Sequence, residues 1–313
     1  MRLPLIAAVF LTAAAPCAAQ RIIASGGTTS VLPGGGTLSW TVGESFSATN
    51  TGTGGILTPG FQQGTFVRVN VNIKAFLQGP WTTNTPAMTD GLRTGGHLPL
   101  VEPYSALGYP MVAGGGFETI APSVLQVSGA NAIVDWIYLQ LRDAGNNTSV
   151  QAARCALVQR DGDIVDVDGV SPVTFTRPAA SYFISVQHRN HLGILSQSAI
   201  ALAENPVTVN FTNGTTATFG TNAQRISGSS RMLWAGDATG NGVVKYTGSA
   251  NDRDPILTAI GGSVPTATIT GYRREDITMD GTVKYAGGSN DRDVILQVIG
   301  GTVPTATRAA QLP

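Results

Sequence analysis

Val67, Val69, Val71 and Ile73 alternate with Arg68, Asn70 and Asn72. A period of two turns one set of side chains toward a core and predicts a strand. Tyr182, Ile184 and Val186 alternate in the same way with Phe183, Ser185 and Gln187, and Val207, Val209 and Phe211 give a further strand. Residues 132–141 are almost continuously apolar, broken by Asp135 and Gln140, which predicts a central strand covered on both faces. Gly, Pro and Asn turns separate these runs, and no alternating helical pattern supports a parallel α/β sheet. The expected fold is therefore mainly β, with an antiparallel β-sandwich body over residues 67–213. Ahead of it, residues 38–44 and 56–58 read as strands in a β-rich leader segment, 20–66.

The pattern changes near the C-terminus. Ile256 and Ile260 are four apart, as are Ile295 and Ile299, which predicts two short helices with one apolar stripe each. They belong to a duplication. The stretch from Gly236 recurs at an offset of 39 residues: Asp237 returns as Asp276, Asn251-Asp252-Arg253-Asp254 as Asn290-Asp291-Arg292-Asp293, and Val264-Pro265-Thr266 as Val303-Pro304-Thr305. Such dense self-similarity means two copies of one supersecondary unit, here over 236–313. Residues 214–235, rich in Gly, Ser and Thr, read as the segment joining body to repeat, with Trp234 expected to pack where they meet.

Each copy carries oxygen side chains at positions 1, 3 and 5 of a loop. They are Asp237, Thr239 and Asn241, then Asp276, Thr278 and Asp280. Glycine follows at position 6, Gly242 and Gly281, as the sharp turn of an EF-hand loop requires. Position 7, Val243 and Thr282, offers a backbone carbonyl. Position 12 falls on Gly248 and Gly287, which have no side-chain oxygen. A four-residue insertion that moves the closing acid to Asp252 and Asp291 restores a ligand; Asp254 and Asp293 are the alternative closers. The Asn251 and Asn290 side chains are placed to cap the helix starts. Two calcium ions, one per loop, are the expected cofactors.

This layout resembles the duplicated calcium-binding loop–helix of the dockerin family over about a quarter of the chain. The resemblance implies a small α-helical EF-loop pair. It also implies a cohesin-like receptor as a partner, recognised in dockerins through positions that here hold Tyr246-Thr247 and Tyr285-Ala286.

Composition narrows the partners. The chain has 313 residues, 12% of them charged, with zero formal net charge. No basic field exists to hold nucleic acid. Residues 3–15 are apolar, followed by Cys17-Ala18-Ala19, which predicts a signal peptide over 1–19 and a secreted or cell-surface protein. That run is too short to be a transmembrane segment. Cleavage removes Cys17 and leaves Cys155 alone in an apolar run, a buried inert thiol rather than a nucleophile.

Two further constellations stand in the body. Asp161, Asp163, Asp166 and Asp168 read first as a hairpin with solvated acids, Asp161 and Asp163 in its turn; the alternatives are a cation site or an acid/base pair, with Asp166 and Asp168 sharing one face if they lie on a strand. His188 and His191 are expected to be hydrogen-bonded at a strand end, since no third ligand lies near them in sequence. Segments 74–79, 98–104, 131–136, 159–163 and 188–193 resemble a hemagglutinin-like body module of secreted Bacteroidetes-type modular proteins. The leader pattern around 25–27, 40–44 and 58–63 is similar to theirs too. That resemblance implies export, not a reaction. The expected function is an exported, non-enzymatic calcium-binding surface protein that serves adhesion or binds a cell-surface glycan or protein. The alternative is a secreted carbohydrate-active hydrolase using the acids of 161–168 and carrying a dockerin-like tail.

Overall fold

The computed structural model describes residues 67–313 and, within 1–66, the backbone of four strands: Gly26–Val31, Thr37–Val42, Asn50–Gly52 and Gly55–Leu57. The first two pair antiparallel, as do the last two. The signal peptide, Cys17 and the rest of the leader segment lie outside the described residues. The chain divides into two compact units, 1–66 and 67–313.

In the second unit, nine strands form one sheet: β1 (Val69–Lys74), β2 (Ile133–Asp143), β3 (Val150–Gln159), β4 (Asp163–Val165), β5 (Val173–Phe175), β6 (Ala180–His188), β7 (His191–Leu195), β8 (Ile200–Leu202) and β9 (Val207–Asn210). The order is β5-β1-β4-β3-β2-β6-β7, with β8 beside β6 and β9 beside β1. All pairings are antiparallel except β9 with β1. The sheet curls round its core: Asn70 N donates to the Ala203 carbonyl just past β8, so its two ends meet. The mainly β, antiparallel expectation holds, and the strands wrap sandwich-like as one sheet rather than as two. Val69, Val71 and Ile73 are buried, as their alternation predicted. β2 lies between β3 and β6 and is buried on both faces, with Trp136 and Tyr138 fully enclosed. Residues 214–235 do more than join. Gln224–Ser227 and Ser230–Leu233 form a hairpin whose second strand pairs parallel with Phe76–Leu77, burying Met232 and Leu233.

The repeat builds two short helices, α1 (Arg253–Ala259) and α2 (Asp291–Val298). Asn251 Oδ1 accepts from Asp254 N and Asn290 Oδ1 from Asp293 N, so both asparagines cap. Ile256, Ile260, Ile295 and Ile299 point into a second, smaller core with Val244 and Val283. Each copy's loop strand pairs with the other copy's tail. Val243–Lys245 takes Thr307–Ala309 from the second copy, and Thr282–Lys284 takes Thr268–Thr270 from the first. The two pairings share one register under the 39-residue offset, so the copies exchange tails about a pseudo-two-fold axis. Ending the chain after Thr305 is expected to unpair Val243–Lys245 and leave Thr282–Lys284 paired. Amide exchange should then quicken at Val244 but not at Val283; equal loss at both would refute the exchange.

Candidate metal centres and the clamp beneath them

In the first loop, Asp237 Oδ2 accepts from Gly242 N at 2.9 Å and its Oδ1 from Asn241 N at 3.0 Å. Gly242 sits at φ +79°, where only glycine is unstrained, and this turn delivers its N–H to the carboxylate. Asp252 reaches back from the start of α1. Its Oδ1 accepts from Thr239 N at 2.9 Å and its Oδ2 from Lys245 N at 2.7 Å. The Thr239 hydroxyl lies between the two acids, 3.3 Å from Asp237 Oδ1 and 2.9 Å from Asp252 Oδ1. Oxygens sharing one calcium at its usual ligand distances sit roughly 3 Å apart, so this spacing suits a common ion. The second loop repeats each contact with Asp276, Thr278, Gly281, Lys284 and Asp291. Gly242 O accepts from Ala310 N across the strand pair, so the Val243 carbonyl turns the other way, into the loop. Gly281 and Gly271 place the Thr282 carbonyl likewise.

Asn241 and Asp280 sit at the exposed rim, where each Oδ1 accepts from the backbone N two residues on, at Val243 and Thr282. Asp252 and Asp291, fully buried, occupy the closing position. Asp254 and Asp293 face outward, held by Arg253 and Arg292.

Among the described residues, no Lys, Arg or His forms a salt bridge with Asp237, Asp252, Asp276 or Asp291. Burial raises the pKa of all four. Asp252 is pushed to about 6 by burial and the neighbouring Asp237 charge, against its backbone hydrogen bonds. Asp291 rises to about 7 for the same reasons, with Asp276 as its neighbour. Buried carboxylate pairs without a cation are costly, and a divalent ion between them would reverse the sign of that cost.

The body holds both loops through the turn between β6 and β7. The Asn190 carbonyl accepts from Gly236 N and Asp237 N, at the head of the first loop. Asn190 Nδ2 donates to the Asp276 carbonyl at 2.7 Å and to the Arg274 carbonyl at 3.0 Å, at the head of the second. His188 and His191 flank it, hydrogen-bonded at the strand ends as expected. His188 Nε2 lies 3.0 Å from Asp135 Oδ2, and Arg189 Nε donates to the same oxygen at 3.1 Å. Tyr272 OH donates to Asp135 Oδ1 at 2.7 Å, and its ring lies under the Arg189 guanidinium. Burial pushes the Asp135 carboxyl up, but Arg189, His188 and Tyr272 together bring it below its ordinary value. A Cβ on Gly79 would lie 2.1 Å from the Ile277 carbonyl, so only glycine permits this approach of body to repeat.

The acids of 161–168 do not form one site. Asp163 pairs with Lys74 and Asp166 with Arg154, while Asp168 caps the turn at Val170 and Ser171. The strand ends at Val165, so Asp166 and Asp168 do not share a strand face; Asp166 instead starts a turn closed by Gly169 N to its carbonyl. A cluster missed in the sequence lies elsewhere. Glu102, Glu118 and Cys155 bring one ligand atom each within 4.8 Å of the others. Glu102 accepts from Tyr104, Ser105 and Phe117 amides, and the Cys155 thiol donates to it at 3.3 Å. Burial and the two glutamates push the thiol's pKa up, which keeps it protonated and inert. No spacing signal could have found this set. Trp234 accepts Leu192 N at its carbonyl and stacks under Arg308, at the junction of body and repeat.

Comparison with family models, curated proteins and solved structures returns no match.

Asp135→Ala would leave the Arg189 charge buried and unpaired. It is expected to cost about 3–5 kcal/mol in denaturant unfolding of the 67–313 unit. A loss under about 1 kcal/mol would mean the network carries little.

Proposed function

We propose that each loop binds one calcium ion and that the chain is an exported, non-enzymatic surface protein of the adhesion or glycan-binding kind, its repeat dockerin-like. The observation that carries the calcium reading is the pair of buried carboxylates in each loop, aligned through a threonine hydroxyl and, among the described residues, in no salt bridge with Lys, Arg or His. Asp237, Thr239, Asn241, the Val243 carbonyl and Asp252 would hold the first ion. Asp276, Thr278, Asp280, the Thr282 carbonyl and Asp291 would hold the second. These are hard oxygen donors, five residues per loop, which suits calcium, a cation that takes six to eight oxygens with water completing the set. The ion supplies positive charge where burial has placed two negative groups. Asn241 and Asp280, at the rim, supply oxygens by turning from their own backbone.

A calcium-ordered repeat fused to a β body supports a binding role, and a cell-surface glycan or protein is the favoured partner. The hydrolase reading loses support because Asp163 and Asp166 are committed to Lys74 and Arg154. A cohesin-like receptor is less favoured: Arg253 and Arg292 lie over the Tyr246 and Tyr285 rings at the positions dockerins use, and Thr247 Oγ1 donates to the Pro304 carbonyl.

Calorimetric titration of the full chain should show two calcium ions bound, and Asp252→Asn or Asp291→Asn should each remove one. With free calcium about ten-fold above the dissociation constant, each site should add roughly 1.4 kcal/mol of stability. No heat and no shift in melting temperature between calcium and EDTA would end the reading.

The pH dependence has a defined sign. Asp252 and Asp291 have folded-state pKa values of about 6 and 7, above the ordinary 3.8, so the ion-free fold binds protons there that the unfolded chain does not. These two groups therefore favour the ion-free fold increasingly as pH falls from about 7 toward 4. His188 and His191, lowered by burial, act oppositely below their ordinary 6.5, so a single melting curve mixes the two trends. The difference between calcium and EDTA isolates the loops. That increment should shrink as pH falls through 7 to 6, because protons displace the ion; an increment constant from pH 8 to 5 would contradict it.

A further inference from the structure

The two loops share one anchor outside the repeat. We infer that Asn190 is a positioning residue for both cation sites: its backbone carbonyl sets the first ligand of one loop, and its side-chain amide sets that of the other. The inference rests on the calcium reading of the loops.

The amide's orientation is fixed by the body. Gly79 N donates to His191 Nε2 at 3.0 Å, so that nitrogen carries no proton and the neutral ring bears its hydrogen on Nδ1. His191 Nδ1 lies 2.7 Å from Asn190 Oδ1 and 3.0 Å from His188 Nδ1. The Nδ1 hydrogen therefore points at acceptors, and Asn190 must present its oxygen to it. Its NH₂ group is left facing the carbonyls of Arg274 and Asp276. His188, accepting at Nδ1, keeps its proton on Nε2 and gives it to Asp135. A relay from Gly79 to Asp135 thus sets which way one amide points, and that amide holds Asp276.

The two attachments differ in kind, which makes the inference testable. The carbonyl contact to Gly236 N and Asp237 N survives any side-chain change. The Nδ2 contacts do not. Asn190→Ala should therefore weaken the second site and spare the first. The test uses the full chain in two backgrounds, Asp252→Asn, which leaves only the second loop, and Asp291→Asn, which leaves only the first. In the first background Asn190→Ala should weaken calcium binding about ten-fold, the scale of one to two lost buried hydrogen bonds. In the second it should change affinity less than about two-fold. Equal weakening in both, or none in either, overturns the inference while leaving calcium binding intact. Failure of the unsubstituted chain to bind calcium overturns the calcium reading, and the inference with it. Should Asn190→Ala not fold, nuclear magnetic resonance of the Asp252→Asn and Asp291→Asn chains with Asn190 intact gives the same answer. The Asn190 side-chain amide protons should shift when the second loop fills and not when only the first does. Amide protons that ignore the filling of the second loop would overturn the inference.

Discussion

Asp135 is a carboxylate with no solvent exposure in the middle of a β-sheet, and such a charge cannot stand alone. Its partners are Arg189 and His188 from the turn after β6 and Tyr272 from the bridge between the repeat copies. One buried charge therefore reaches across two stretches of chain and fixes both relative to β2. Arg189, itself enclosed, donates onward to the Arg273 carbonyl. A buried ion pair is weak evidence for net stability, because desolvation offsets much of the attraction. What it does fix is geometry: the turn sits where Arg189 meets Asp135 at 3.1 Å, both side chains out of solvent. That placement makes body and repeat one unit, and it brings Asn190 between the loop heads.

The repeat solves a different problem. A three-residue loop strand has unpaired N–H and C=O groups on one edge, and a single copy has only its own tail to offer. Exchange of tails satisfies both copies. It also leaves the inward edge of each loop strand free, where Lys245 N and Lys284 N meet the closing acids. The pairing that covers one edge thus orders the donors on the other. Arg274 adds a cross-link, its Nη1 donating to the Thr239 carbonyl beside Gly240, so the lead-in to the second loop braces the first.

Parts of this were legible in the sequence because they depend on local spacing. The alternation from Val69 to Ile73, the apolar run of β2 and the four-residue spacing of Ile256 and Ile260 each report one buried face, and periodicity records that directly. The loop positions were legible for the same reason, since oxygens at every second residue before a glycine describe a turn. Spacing left Asp252 and Asp254 as alternative closers, because it does not report burial; in the structure Asp252 is buried and Asp254 exposed. What escaped was long-range. The tail strands, Thr268–Thr270 and Thr307–Ala309, are short and threonine-rich, and nothing in them names their partner. Residues 214–235 have the composition of a linker, yet Met232 and Leu233 are enough to fold a hairpin onto Phe76–Leu77. Asn190 sits in a run of four polar residues whose burial no pattern announces. Glu102 meets Cys155 from 53 positions away.

The division of labour between fold and ion follows from where the donors come from. Both carboxylates of each loop already accept backbone N–H groups fixed by Gly242 or Gly281 and by the loop strand. Their geometry is set without an ion, which would cut the ordering cost of binding one. The remaining cost is electrostatic, since two buried acids lie side by side, and it is this term that a divalent cation would remove. Asn241 and Asp280 are the exception, exposed at the surface and engaged with their own turns. Calcium would thus act chiefly on charge in the interior of each loop and on order at its rim. The β body, held by Asp135 and its own core, would keep its fold whether the loops are filled or not.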